Sequence, residues 1–168
     1  MSETRTRVKE HVTSNPGVHF NAIGRNLDIA TGQTQYHLRR LVRENVLVSR
    51  SIRGRKHYYR QGYTRSQQAA LALLRRETTR EIVLRLLEHD EATPGELADD
   101  IGIARSTIEW HLSTLLEHDL AEKRYDDGSV SVALVEPEPV FDVLTEVEPA
   151  MPDRLVDRFS RLIDSLFE

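Results

Sequence analysis

The sequence predicts a mostly α chain with small β hairpins (α+β), built from two tandem copies of one module and followed by C-terminal helices. Three observations support this prediction. Apolar residues recur at helical spacing along the 168-residue chain. Two predicted hairpins follow such helical stretches, and each consists of two β-prone runs joined by a turn that contains a glycine. Residues 19–50 align without a gap with residues 93–124, which indicates an internal repeat.

Length and composition bound the class of protein. The chain is long enough for two small domains, and no run approaches the roughly 18 consecutive apolar residues of a membrane span. The first residues lack the apolar core of a signal peptide. Cysteine is absent, which excludes disulfides, thiolate metal sites and a cysteine nucleophile. We therefore expect a soluble, cytoplasmic protein that has no membrane partner.

Charge is distributed unevenly around a net value of −4. Residues 19–60 hold nine basic and two acidic residues, whereas residues 93–134 hold three basic and nine acidic residues. The two repeats therefore share a pattern but carry opposite charge. Such an asymmetry predicts an anionic partner for the first copy only.

The first copy opens with three predicted helices. Residues 4–14 form the first, which ends before a proline and a glycine. Phe20, Ile23 and Leu27 have the spacing of a second helix. The turn at 28–30 then leads into a third helix over 31–43. Two short helices joined by such a turn form a helix-turn-helix.

The third helix has two unlike sides. Thr34, Leu38 and Leu41 fall on one side and suit a core. The other side carries groups able to bond base edges and phosphates, namely Tyr36, Arg39 and Arg43, flanked by Gln33, Gln35 and Arg40. Considered alone, this pattern is equally typical of a solvated amphipathic helix.

A hairpin is predicted directly after this helix. Residues 46–52 and 56–60 are β-prone runs around Arg53-Gly54-Arg55. Its tip presents Arg53, Arg55 and Lys56. One of Tyr58 and Tyr59 is expected in the core and the other at the surface, near a backbone phosphate.

The second copy repeats these elements with an acidic surface. Thr93 and Glu96 form a capping box around Pro94, and Ser106 with Glu109 is expected to cap the next helix in the same way. The second hairpin, over 121–134, has Asp126-Asp127 at its tip. Because DNA is a dense polyanion, we expect this copy to serve dimer contact, contact with another protein or ligand sensing.

Beyond residue 135 the chain is acidic and rich in proline, with one short helix expected over 140–147. Residues 153–167 form a wide apolar stripe, either a core helix or a dimer seam. The seam is favoured, with these residues in it: Leu155, Phe159, Leu162, Ile163 and Leu166. The predicted domains are therefore 1–62, 63–135 and 136–168.

The run NPGVHFNAIGRNLDIATGQTQYHLRRLVRENVLVSR, followed by GRKHYYR, resembles archaeal winged helix-turn-helix transcription regulators of the ArsR/MarR-like group. The likeness extends to IGIARSTIEWHLSTLLEHDLAEKR in the second copy, so it covers residues 5–134. It implies that the hairpins are wings and that the protein binds DNA. By this resemblance, the groove-reading positions are Thr31, Gln33, Gln35, Tyr36 and Arg40, and the wing contacts are Arg53, Arg55 and Lys56.

No constellation of residues supports catalysis, a metal site or a cofactor. His37 and His111, at equivalent repeat positions, are interpreted as structural histidines, and Trp110 as a packing residue. The predicted function is a homodimeric, sequence-specific regulator of transcription that binds double-stranded DNA and is not an enzyme. The alternative is a protein-interaction adaptor that uses winged-helix scaffolds without touching DNA.

Overall fold

The structure, a computed structural model, describes residues 2–147 together with Asp164 and Phe167. The chain divides into two compact units, Met1–Arg75 and Arg76–Glu168. Among the described residues, helices make up most of each unit, and each unit holds a small antiparallel sheet. The predicted fold class, tandem winged helix-turn-helix modules in an α+β chain, is confirmed.

The first unit contains four helices and three strands within the described residues. The elements are α1 (Glu3–Ser14), β1 (Val18–His19), α2 (Phe20–Leu27), α3 (Thr31–Arg43), β2 (Leu47–Ile52), β3 (Arg55–Arg60) and α4 (Arg65–Leu73). The sheet is antiparallel with strand order β1-β3-β2. Strand β1 was not predicted because it has only two residues, and its extended conformation depends on its pairing with β3.

The core of the first unit forms where α1, α2 and α3 meet the sheet. The predicted buried side of α3 is confirmed, since Thr34, Leu38 and Leu41 are almost fully buried. The Thr34 hydroxyl donates to the Ala30 carbonyl at 3.0 Å, so this polar group is satisfied inside the core. The packing partners from the other elements are Val8, Val12, Val18, Ile23, Leu47 and Tyr58.

Helix α4 belongs to the first unit, whereas its residues were predicted to lie in the second domain, 63–135. The Tyr59 hydroxyl donates to the Gln68 carbonyl at 2.8 Å, and the Arg50 guanidinium donates to the Arg65 carbonyl at 2.6 Å. These contacts join α4 to the hairpin that precedes it. The first compact unit therefore extends one helix beyond residue 62.

The second unit repeats the arrangement. Its described elements are α5 (Glu77–His89), α6 (Pro94–Ile101), α7 (Arg105–Glu117), β4 (Ala121–Asp126), β5 (Ser129–Leu134) and α8 (Pro137–Val147). A single bridge between Ala92 and Val132 replaces strand β1 of the first unit. Strands β4 and β5 pair as an antiparallel hairpin, as predicted for the second wing.

Two capping predictions have different outcomes. The capping box of Thr93 and Glu96 is present, with Pro94 at the start of α6. The cap proposed for Ser106 is wrong, because Ala104 is the N-cap of α7 and Ser106 lies inside the helix. Glu109 instead accepts from Arg105 Nε at 3.2 Å.

Helix α8 begins at Pro137, three residues before the predicted start, because proline is well tolerated in the first helical turn. It buries Val140, Val143 and Leu144. The five predicted seam residues (Leu155, Phe159, Leu162, Ile163 and Leu166) lie outside the described residues. Within the part of the chain that is described, no helix has the length and apolar character needed to cross a membrane.

Candidate nucleic-acid interface

The outer face of α3 gathers the residues that the sequence singled out. All of them are exposed, whereas Thr34, Leu38 and Leu41 are buried. Tyr36 is 56% exposed, which is high for an aromatic ring. The set on this face is Thr31, Gln33, Gln35, Tyr36, Arg39, Arg40 and Arg43.

Two surface clefts border this face. A cleft of about 500 Å³ runs along the helix and is lined by Gly32, Gln35, Tyr36, Arg39, Arg40, Arg43 and Glu44. A second, of about 350 Å³, lies between the helix and the hairpin, and Arg55 and Lys56 line its hairpin side. Gln35 and Arg39 line both clefts. The helix and the hairpin therefore form one continuous cationic surface.

Part of the second cleft was not predicted from the sequence. His19, Phe20 and Asn21 also line it, together with Tyr58, one of the two tyrosines considered for a phosphate contact. His19 is the N-cap of α2, where its Nδ1 accepts from the Ala22 amide at 3.3 Å. The pairing of β1 with β3 positions His19, and a strand of two residues gives no detectable pattern in the sequence.

A two-residue turn forms the tip of the first wing. Arg53 and Gly54 both have positive φ, 49° and 76°, and Ile52 pairs with Arg55 across the hairpin. Two successive residues of positive φ match the twist of a hairpin. Arg53, Arg55 and Lys56 are exposed, whereas Ile52 is buried beneath them.

The expectation that one of the two adjacent tyrosines is exposed is wrong. Neighbouring strand residues point to opposite faces of a sheet, and both faces are covered here. Tyr58 enters the core formed by the helices, and Tyr59 lies under α4. Burial raises the pKa of both phenols above the ordinary value.

Arg40 forms two side-chain hydrogen bonds on the outer face. Its Nε donates to Glu44 Oε1 at 3.0 Å, and its Nη1 donates to the Tyr36 hydroxyl at 3.3 Å. The hydrogen bond to Glu44, followed by that to Tyr36, raises the pKa of Arg40. The guanidinium is thus preoriented along the helix while it stays open to solvent.

His37 and His111, which occupy equivalent positions in the two copies, each contact a side chain of their own unit. His37 is buried beside α1 and lies edge-on to Tyr36, with ring centroids 5.2 Å apart. Burial, followed by the nearby charges of Arg5 and Arg40, lowers the pKa of His37. The ring Nδ1 of His111 lies 3.1 Å from the Thr79 hydroxyl oxygen. Among the described residues, no group of three or more potential ligands is placed to hold a metal ion.

The second unit presents a different surface on an equivalent backbone. Its wing turn, Asp127-Gly128, also has two positive φ values, but its charge is negative. Trp110 occupies the position of Tyr36; it is 43% exposed, and the Arg76 guanidinium lies 5.2 Å from its ring centroid. Tyr125 on the wing is 75% exposed. The shared frame therefore carries acidic groups at positions where the first unit carries cations, such as Asp127 in place of Arg53.

Comparison with known proteins supports both modules. Residues 2–71 match the family model of an N-terminal helix-turn-helix domain, and residues 73–124 match that of a helix-turn-helix domain. Over 115 residues the chain is 26% identical to an uncharacterized HTH-type transcriptional regulator of Methanocaldococcus jannaschii. That alignment covers 68% of this chain and 29% of the relative, so the chain spans under a third of that relative's length.

Helix-turn-helix domains are modules with which many proteins bind DNA. The repeat in the sequence, the two modules in the structure and the two adjacent family matches agree with one another. The chain accordingly contains two tandem winged helix-turn-helix modules, and its sequence is similar to that of an HTH-type transcriptional regulator.

Proposed function

We propose that the first unit binds double-stranded DNA in a sequence-specific way and regulates transcription. Helix α3 enters the major groove, and the wing contacts the backbone or the minor groove. The observation that carries the proposal is the continuous surface of α3 and the wing, on which every predicted contact residue is exposed. Its opposite side is fully occupied by core packing.

The chemistry of the side chains suits particular contacts. The amides of Gln33 and Gln35 match the paired donor and acceptor of an adenine edge. Arg39 or Arg40 matches guanine or a phosphate, and Arg53, Arg55 and Lys56 supply point charges for phosphates. Thr31, Tyr36 and Arg43 complete the exposed set.

The second unit is proposed to stay off the DNA. Asp126 and Asp127 stand at its wing tip, and Glu109 lies on the exposed face of α7. A phosphate brought to these carboxylates would be repelled. This unit is assigned a contact with protein or ligand instead.

The two wing tips provide a matched test. Arg53→Asn with Arg55→Gln removes two charges, and asparagine tolerates the positive φ of position 53. Asp126→Asn with Asp127→Asn is the corresponding change in the second unit. Anisotropy with promoter DNA should show about tenfold or greater weakening for the first pair and little change for the second. Equal loss in both pairs would contradict the assignment of roles.

Homodimerisation is a separate part of the proposal. It rests on the apolar spacing of Leu155, Phe159, Leu162, Ile163 and Leu166. A two-fold dimer implies a roughly palindromic operator with half-sites about one helical turn, or a multiple of it, apart. Light scattering should give twice the mass of one chain, and a species that stays monomeric at high concentration removes both the dimer and the palindrome.

The adaptor alternative makes the opposite prediction for the anisotropy experiment with promoter DNA. It expects no measurable DNA affinity at moderate salt and stable association with another protein. The exposed cationic side chains of α3 and the wing favour the DNA-binding proposal over it.

A further inference from the structure

Gly32 has no apparent role in the fold of the first unit. It is exposed in the first turn of α3. Outside its own helix backbone and chain neighbours, a Cβ built on Gly32 meets no heavy atom of the described residues within 4 Å. Glycine is the poorest helix former after proline. A residue that favours the helix would therefore fit here without strain.

The second copy supports this point. Ser106 occupies the corresponding place in α7, one residue after the start of the helix. Both helices follow an alanine N-cap that forms no side-chain capping bond. The same backbone therefore accepts a side chain at this position, so helix geometry does not require the glycine.

Gly24, in contrast to Gly32, is required by the packing of this unit. A Cβ there would lie 3.2 Å from Thr34 Oγ1 and 3.3 Å from the Ile29 carbonyl oxygen. It allows α2 and α3 to approach each other closely. Gly32 has no such neighbour among the described residues, and it faces the exterior.

The surroundings of Gly32 point to an external partner. It lines the cleft along α3 and stands in helical register with Tyr36, Arg39 and Arg43. The N-terminal residues of a recognition helix are those that reach base edges. A missing side chain at this position leaves the helix backbone open to a duplex that lies across those residues.

We propose that Gly32 is the point at which double-stranded DNA approaches the backbone of α3 most closely. This inference rests on the proposed DNA contact of the first unit. The bare Cα permits van der Waals contact between the duplex and the first turn of the helix. A side chain there would hold the duplex away, so that Gln35 and Arg39 lose their reach.

Gly32→Ala and Gly32→Leu separate binding from folding. Both variants should raise the midpoint of thermal unfolding, by about 2 °C. DNA binding should nevertheless weaken, about threefold for alanine and about 30-fold for leucine, the latter equal to about 2 kcal/mol. Circular dichroism checks the fold, and fluorescence anisotropy with the full chain and promoter DNA measures affinity.

Ser106→Leu is the matched control, because it adds the same side chain at the equivalent position of α7. It should leave DNA affinity unchanged. If the wild-type chain binds and Gly32→Leu binds equally well, the Gly32 inference is overturned while the DNA-binding proposal stands. If the wild-type chain shows no DNA affinity, both are overturned.

Discussion

Arg40 and Glu44 form an ion pair on the surface that we assign to DNA. Arg40 Nε donates to Glu44 Oε1 at 3.0 Å, and the two side chains remain 47% and 42% exposed. Among the described residues that line the cleft along α3, Glu44 alone carries a carboxylate. The pair therefore holds Arg40 in place and also puts a negative charge near the proposed position of the phosphates.

Replacing Glu44 tests which effect dominates. Glu44→Gln keeps the shape of the side chain and removes the charge, so DNA affinity at low salt should rise, roughly threefold. The unfolding midpoint should not change measurably, because exposed pairs four residues apart contribute little. Anisotropy and thermal unfolding provide the two readouts.

The second unit contains the control for this change. Arg105 and Glu109 form the same kind of pair at 3.2 Å on α7. Glu109→Gln should leave DNA affinity unaltered. A similar rise for both variants would indicate a general effect of net charge rather than a contact at α3.

The number of phosphates that the first wing neutralises can be measured from the salt dependence of DNA binding. The logarithm of the binding constant falls with the logarithm of salt concentration, by about 0.9 per neutralised phosphate. Arg53→Asn with Arg55→Gln should reduce that slope by about 2 if each side chain neutralises one phosphate. An unchanged slope, measured by titrations over a range of salt, would remove these two residues from the backbone contact.

The buried hydroxyl of Tyr59 connects β3 to α4. Tyr59→Phe loses its hydrogen bond to the Gln68 carbonyl, so the free energy of unfolding should fall by about 1 kcal/mol. Urea titration measures the loss. Tyr125→Phe, at a side chain that is 75% exposed, is the control and should leave stability at neutral pH unchanged.

The buried phenol of Tyr59 also predicts that the stability of the folded chain falls at alkaline pH. Burial raises the pKa of Tyr59 above its ordinary value of 10.0, so the folded state favours the neutral phenol. Its contribution is complete below pH 10 and declines above it, because the unfolded chain ionises first. The wild-type chain should therefore lose stability faster than Tyr59→Phe above pH 10. Parallel curves for the two proteins would contradict this role.

Gly17 is required by close packing on α4. Its φ is +85°, and a Cβ there would lie 2.8 Å from the Leu71 carbonyl carbon. Gly17→Ala should lower the free energy of unfolding by about 3 kcal/mol through backbone strain and overlap. Gly54 also has positive φ, +76°, but its Cβ would meet nothing within 4 Å among the described residues. Gly54→Ala should therefore cost only about 1 kcal/mol, and equal losses in urea titrations would exclude the overlap with α4.

Much of the molecule could be predicted because its determinants are local. The bounds and buried side of α3 follow from residues three and four positions apart, and the capping box of Thr93 and Glu96 lies within one helical turn. The opposite charges of the two wing tips can be seen directly in the sequence. These patterns were sufficient to predict two tandem winged modules and to favour the first for DNA.

Only the tertiary structure decided the features that depend on distant residues. Strand β1 exists because Val18 pairs with Tyr58, and α4 joins the first unit because Tyr59 and Gly17 contact it. Both tyrosines are buried since helices cover both faces of the sheet. Such contacts join residues far apart in the chain, and no local periodicity encodes them. Amino-acid spacing therefore determined the modules and their charge, whereas packing determined where the first unit ends and which side chains border the proposed DNA surface.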